Sequence, residues 1–229
     1  MEFSNRIDMT THGRKRTLVI MAKAPKPGGV KTRLAQSFPD CDVTELYRCL
    51  LRDTLTLARS LNGVEIAIMT PQSDVDELTE FVLGEVPVVA QSGEGLVAGL
   101  NSVFSRFAAD GARGVIAFNS DSPHLPAAAL ERAFDELAEC DVVVGPTHDG
   151  GYYMVGANAV HPGLFDNDGM GTSSALDNLM SRVRDLRLSV RIAEPFYDVD
   201  VAADLMRLDA ELQLFPARAP RTAAWLAEW

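Results

Sequence analysis

Thr17-Leu-Val-Ile-Met-Ala22 runs without a break into Lys23-Ala-Pro-Lys-Pro-Gly-Gly-Val-Lys-Thr-Arg-Leu34, and this junction decides the fold. The first stretch is an apolar run of strand length, the signature of a strand buried on both faces of a parallel sheet. The second, Gly/Pro-rich over Lys23 to Val30, reads as a loop. In an open parallel sheet, ligands sit beyond the carboxyl ends of the strands, and the loop after the first strand is a usual phosphate-binding position. Gly28 and Gly29 let backbone N–H groups approach an anion, two prolines stiffen the turn, and Lys31 and Arg33 place charge on alternate residues. Neither G-x-x-x-x-G-K-[ST] nor G-x-G-x-x-G spacing is present. A basic surface loop with no ligand is the competing reading.

Outward from this junction, apolar runs alternate with amphipathic stretches, which predicts βαβ units around a mostly parallel sheet with helices on both faces, an α/β fold. Strands are expected over Glu65 to Thr70, Val86 to Ala90, Gly114 to Phe118, Asp141 to Gly145 and Arg187 to Ile192, with Gly114 to Phe118 central by its apolar content. Tyr152 to Gly156 pairs with Asp141 to Gly145 across the His148-Asp-Gly-Gly151 turn. Helices are expected over Val43 to Leu61, Asp74 to Leu83, Gly95 to Ala109, Pro126 to Glu139, Thr172 to Arg184 (capped by Thr172 or Ser173) and Val201 to Leu214, the last closing the fold. Leu96, Leu100, Phe104 and Phe107 read as core. Residues 1–16 read as a flexible N-terminal extension and 17–229 as one domain.

The chain has 229 residues, 47% hydrophobic and 23% charged, with a net charge of −11. That is an ordinary globular composition. Acidity excludes a nucleic-acid partner, which needs basic patches. No apolar run approaches the ~18 residues of a membrane span and the first residues lack a signal-like apolar region, so a cytoplasmic, non-membrane protein is expected. Cys41, Cys49 and Cys140 lack metal-ligand spacing and read as buried free thiols. His12, His124, His148 and His161 read as surface or loop residues. From Met9 to Pro39 there is no Asp or Glu, while Arg14, Lys15, Arg16, Lys23, Lys26, Lys31 and Arg33 fall in that window. An acidic chain with one acid-free basic segment points to a small polyanion.

Two acidic motifs face that segment. Asn119-Ser-Asp-Ser-Pro-His-Leu125 follows the central strand and would hold the Asp121 carboxylate where a hard cation bridges phosphates, or cap the next helix. Tyr197-Asp-Val-Asp200 carries two aspartates two apart in an extended segment, so Asp198 and Asp200 point to one side and can share a metal. Helix capping by Asp200 competes. Asp149-Gly-Gly-Tyr-Tyr153 suits close approach of an acceptor or a plain hairpin. Gly169-Met-Gly-Thr-Ser-Ser174 offers hydroxyls and a helix N-terminus for an anionic group on a second substrate, or only a capped helix.

Ala22 to Leu34, Ser120-Asp-Ser-Pro123, Gly145-Pro-Thr-His-Asp-Gly-Gly-Tyr-Tyr153, Gly171-Thr172 and Tyr197-Asp-Val-Asp200 occur in this order. Together they resemble the bacterial GT-A-like family labelled arsenosugar-biosynthesis glycosyltransferase, over about residues 17–214. The layout is also similar to 2-phospholactate guanylyltransferase and other nucleotidyltransferases of the nucleotide-diphospho-sugar transferase superfamily. Asn119, His124 and Met170 depart from the pattern, and Gly95-Leu-Val-Ala-Gly-Leu-Asn101 looks like the guanylyltransferase version of its element.

The resemblance implies a Rossmann-like GT-A sheet and Mg²⁺ or Mn²⁺ on Asp121, Asp198 and Asp200. It implies catalytic roles for Lys31, Arg33 and Asp121. Nucleotide would be held by Ala22, Lys23, Ala24, Pro25, Lys26, Gly28, Lys31, Arg33, Gly95, Asn101 and Ser120, and acceptor by His148, Asp149, Gly150, Gly151, Thr172 and Ser173. The first expectation is a nucleotidyltransferase moving NMP from an NTP to a phosphorylated small molecule, because pyrophosphate departure calls for the basic loop as well as the metal. An NDP-sugar-dependent glycosyltransferase, with His148 or Asp149 as base, is the second. An inactive nucleotide-binding scaffold is the third, and a homodimer is an open alternative to a monomer.

Overall fold

The computed structural model describes residues 16–108, 114–166 and 173–228. Its strands are β1 (Arg16–Met21), β2 (Val64–Thr70), β3 (Val88–Ala90), β4 (Val115–Asn119), β5 (Val142–Pro146), β6 (Tyr152–Ala157) and β7 (Val190–Ile192). They form one sheet in the order β3-β2-β1-β4-β6-β5-β7. Pairings are parallel except those of β6, which lies antiparallel between β4 and β5. β4 occupies the middle position, as its apolar content predicts. The hairpin expected between Asp141 to Gly145 and Tyr152 to Gly156 is present, and β6 also pairs with β4.

The helices are α1 (Asp40–Arg59), α2 (Val75–Phe81), α3 (Gly95–Phe107), α4 (Ala127–Glu136), α5 (Ala175–Asp185), α6 (Ala202–Leu214) and α7 (Pro220–Glu228). The period-two alternation of the strands sorts them onto two faces. Leu18, Ile20, Ile68, Ile116 and Phe118 pack with Tyr47, Leu51 and Leu55 of α1 and with Leu130 and Phe134 of α4. Val19, Met69, Val115, Ala117 and Val144 face the other way, onto Leu100 and Phe104 of α3 and Leu179 and Val183 of α5. Each such fully buried side chain is worth roughly 1.5–3 kcal/mol. This is the Rossmann-like α/β arrangement, mostly parallel with helices on both faces.

A third apolar cluster lies outside the sheet, where Leu46 and Leu50 of α1 meet Leu205, Leu208 and Leu212 of α6 with Ala219 beside them. α7 closes the fold, correcting the reading that ended it at Leu214. The buried Asp53 of α1 anchors its start, accepting from Thr222 N–H and Thr222 Oγ1 (both 2.8 Å) and from Arg221 N–H (3.2 Å). Those amides are the unpaired donors of a helix start, so a carboxylate from another element does the capping.

Three further readings are corrected and one is narrowed. α5 starts at Ala175 with Ser174 at its N-cap position, past the predicted Ser173; Thr172 lies outside the described residues. Of the cysteines only Cys140 is buried, Cys41 being exposed. His124 is a loop residue, one of the two expected readings, but it is fully buried and not at the surface, because the aromatic side chains of 196–197 close over the loop after β4. Leu96 is 38% exposed, because the first turn of α3 borders the cleft described next.

Candidate active site

The loop after β1, the loop after β4 and the segment after β7 converge beyond the strand ends. Hydrogen bonds stitch the two acidic segments together: Val199 N–H donates to the Asp121 carbonyl (3.1 Å) and the Ser122 hydroxyl to the Tyr197 carbonyl (3.1 Å). Val199 is buried, which turns its neighbours Asp198 and Asp200 to the other side, as the two-residue spacing predicts. One carboxylate oxygen each of Asp121, Asp198 and Asp200 lies within 4.8 Å of the others. Capping falls instead to Asp204, which accepts from the N–H groups of Asp200 (3.0 Å) and Val201 (2.9 Å). The Asp200 carboxylate is left free to face the cleft.

Lys31 reaches into this cluster, its Nζ 2.8 Å from Asp121 Oδ2 and 2.8 Å from Asp200 Oδ1, with 3% of its side chain exposed. Burial works against its charge, but the two carboxylates outweigh it and raise the ammonium pKa above its ordinary value. Arg33 Nη1 lies 3.4 Å from Asp200 Oδ2 and is largely exposed. One buried ammonium does not neutralise three carboxylates. Burial first, then the charge of Asp200, push the Asp198 carboxyl up to about 6. Hard oxygen ligands crowded this closely and short of positive charge fit Mg²⁺ or Mn²⁺, which Asp121, Asp198 and Asp200 would hold.

The loop after β1 is braced from below. Tyr47 Oη of α1 accepts from Lys23 N–H (3.2 Å) and lies 3.1 Å from Ser120 Oγ, joining the two loops. Burial, with the Asp121 charge, pushes this phenol up to about 12. Asp74 accepts from Ala24 N–H (3.0 Å) and Lys26 Nζ (2.9 Å). Burial would raise the Asp74 carboxyl, but Lys26 and the Ala24 amide overcome it and hold it below the usual range.

Two compartments open from the cluster. The larger, about 1150 Å³, is bordered by Ala22, Lys23, Lys31, Arg33, Gly95 and Ser120 together with Tyr47, Gln72, Gln91 and Leu96. The smaller, about 370 Å³, has Asp149, Gly151 and Ser173 at its rim and Leu100, Phe118 and Met154 among its apolar lining. Arg33, Asp121 and Asp200 border both. Ala24, Pro25, Lys26, Gly28, Asn101, His148 and Gly150 do not figure in either lining. Lys26 is drawn to Asp74 and Glu77. Asp149 is pinned by Thr147 Oγ1 (2.6 Å) and Gly151 N–H (3.2 Å), which hold its carboxyl below the usual range.

His124 sits behind the cluster, its ring 4.8 Å from Phe196 and 4.4 Å from Tyr197, with no hydrogen-bond partner for either nitrogen among the described residues. Burial pushes its pKa from 6.5 down to about 4. A folded-state value below the unfolded one means that stability is complete above pH 6.5 and is lost as pH falls toward 4, by up to about 3 kcal/mol. Asp198 acts with the opposite sign, since its raised carboxyl gains a proton more readily in the folded state. It is common to wild type and variant, so the difference isolates the histidine. Urea unfolding is therefore expected to show wild type losing about 3 kcal/mol more than His124→Phe between pH 6.5 and 4. Parallel pH profiles for the two proteins would show that His124 protonates freely in the fold.

The chain is similar to a protein from Desulfovibrio desulfuricans G20 provisionally assigned as a nucleotide-diphospho-sugar transferase, with TM-score 0.86 and 28% identity over 93% of this chain and 94% of that one. It shares its fold with a nucleotidyl transferase from Methanothermobacter thermautotroptrophicus, with TM-score 0.60 and 17% identity over 89% and 100% of the two chains. It also shares it with Rv0371c of Mycobacterium tuberculosis H37Rv, a structure in complex with manganese, with TM-score 0.52 and 19% identity over 85% and 97%. No curated protein matches the sequence. The family described as "Uncharacterized protein conserved in bacteria (DUF2064)" matches residues 54–172, just over half of the chain, and the chain belongs to that family.

Proposed function

We propose that this protein is a metal-dependent nucleotidyltransferase that moves NMP from an NTP to a phosphorylated small molecule and releases pyrophosphate. The observation that carries the reading is the cluster of Asp121, Asp198 and Asp200 at the junction of a large basic-edged compartment and a smaller one. Nucleotide fits the first and acceptor the second. A divalent cation bound there would offset charge on the phosphates as the bond to pyrophosphate breaks. Lys23, Lys31 and Arg33 border the larger compartment and would bind the triphosphate, favouring departure of a group that carries more charge than the ester left behind. The Thr147-Asp149-Gly151 turn would orient the acceptor, whose oxygen attacks the α-phosphorus as the bridging P–O bond to the β-phosphate opens.

The 28% identical neighbour favours a second reading, NDP-sugar-dependent glycosyl transfer to a small molecule, for which the same two compartments serve. The reading takes residues 17–229 as one transferase domain and places it in the cytoplasm; among the described residues no helix is long and apolar enough to cross a membrane.

A thermal-shift panel of NTPs, NDPs and NDP-sugars with and without Mg²⁺ or Mn²⁺ tests this. A native-state ligand at a hundred times its Kd adds about 2.7 kcal/mol of stability. The expected result is a metal-dependent shift of several degrees, largest for one NTP. A largest shift with an NDP-sugar would move the assignment to glycosyl transfer, and no shift with any nucleotide would leave only an inactive scaffold.

A further inference from the structure

The Lys31 ammonium lies 2.8 Å from carboxylate oxygens of two of the three aspartates that would hold the metal, almost wholly shielded from solvent. A lysine kept on a loop for phosphate alone has no reason to sit there. Its backbone adds a second observation. Lys31 has φ of 49°, a left-handed conformation uncommon for a residue with a side chain. Such strain persists only where surrounding contacts over-determine it. Its contacts include the Ala35 N–H, which donates to the Lys31 carbonyl (3.0 Å), and the two ion pairs, made to residues 90 and 169 positions away in sequence. The pairs end on two of the carboxylates that would hold a divalent cation.

We infer that Lys31 is an exchangeable stand-in for the metal: its ammonium bridges Asp121 and Asp200 in the resting protein and offsets part of their charge, leaves them when a divalent cation binds, and passes to the nucleotide phosphates in the adjoining cleft. The inference rests on the metal-binding reading of the aspartate cluster. An ammonium and a divalent cation on shared oxygens repel strongly at such separations. The metal therefore binds by exchange. Release of the side chain also removes two of the contacts that accompany its left-handed backbone. The displaced ammonium is left without a partner in a partly buried site, and an anionic nucleotide supplies one. Metal and nucleotide are then coupled through one side chain, and each must raise the affinity of the other by the same factor. In the absence of either, the cluster stays closed on itself and does not repel the fold apart.

The test uses the full chain without substrate. Free Mn²⁺ is counted by electron paramagnetic resonance during titration of wild type and Lys31→Met. In parallel, acetic anhydride labelling of each lysine is read by mass spectrometry with and without saturating Mg²⁺, Lys23 and Lys26 serving as internal references. Exchange predicts at least tenfold tighter Mn²⁺ binding in Lys31→Met, and Lys31 labelling that rises at least fivefold on Mg²⁺ addition while the references stay constant. Circular dichroism and melting establish that the variant is folded; should it not fold, the wild-type labelling decides alone. If wild type binds Mn²⁺ and Lys31 stays protected, the lysine and metal share the site and the exchange is wrong, with the metal reading intact. If neither protein binds Mn²⁺ at millimolar concentration, the metal reading falls and the exchange falls with it.

Discussion

Asp121→Ala is expected to abolish the metal-dependent part of nucleotide binding and to lower turnover about a thousandfold, the rate equivalent of roughly 4 kcal/mol of lost charge stabilisation. Asp121 is the aspartate with the most at stake. It follows the central strand β4, it contributes an oxygen to the cluster, and it is one of the two anchors of Lys31. The junction with the segment after β7 runs through its backbone carbonyl, which accepts from Val199 N–H, so alanine leaves that junction in place. The loss should therefore appear in ligand binding and not in folding. Thermal shift with and without Mg²⁺, together with steady-state rates on the nucleotide the panel identifies, checks this. A variant that kept a metal-dependent shift and a rate within tenfold of wild type would remove Asp121 from the site.

Arg33→Ala gives the contrasting case. Its guanidinium is largely exposed and its one carboxylate contact, at 3.4 Å, is long. Exposed pairs of this kind contribute little to stability. What Arg33 offers is position, since it borders both compartments. A side chain there can touch nucleotide and acceptor together, while Lys31 begins on the carboxylates. Of the cations on the loop after β1, Lys31 is committed to the cluster and Arg33 is open to solvent.

The sheet was legible in the sequence because buried parallel strands are uninterrupted apolar runs bounded by Gly and Pro, as in Thr17 to Ala22 and Gly114 to Phe118. Predicted ends fell within a few residues of the observed ones, the usual scatter. α7 was missed because Pro216 and Pro220 break the stretch after α6 into pieces too short to show a period, and its anchor, Asp53, lies far back in α1. The aspartate pair was readable because two residues in an extended segment share a side. The partner of Lys31 was not, since no local spacing tells a lysine that its carboxylates lie in distant loops; the resemblance assigned it to phosphate, and the fold shows it on Asp121 and Asp200.

Tyr47, which joins the loops after β1 and β4, sits at ordinary core spacing in α1 and carries no signal that separates it from its neighbours. Asp74 is similar: it reads as the start of a short helix, and only the fold brings it to Ala24 N–H and Lys26. His124 is in a loop as expected, but its burial runs against the general tendency of polar residues to stay near water. The ring is buried because the aromatics of 196–197 close over it.

Gly150→Ala is expected to cost about 3 kcal/mol and to raise the acceptor KM at least tenfold while leaving nucleotide affinity within twofold of wild type. Gly150 has φ of 91°, where a side chain is strained, and a Cβ built on it would overlap the backbone carbonyl oxygen of Ser173. Backbone cannot rotate away as a side-chain tip can. The Gly150 carbonyl accepts from Leu176 N–H (3.0 Å) in the first turn of α5, so the turn and the helix start must move together or part. Asp149, Gly151 and Ser173, all on the rim of the smaller compartment, would move with them. Gly28 is a useful comparison in the loop after β1. It too has a positive φ, 70°, but its Cβ would meet only an Asp40 side-chain oxygen at 3.7 Å, so alanine there should cost only about 1–2 kcal/mol of backbone strain. If Gly150→Ala instead weakened nucleotide binding and spared the acceptor KM, the assignment of the two compartments would be reversed: the smaller one would hold the nucleotide, and the basic loop would face the acceptor.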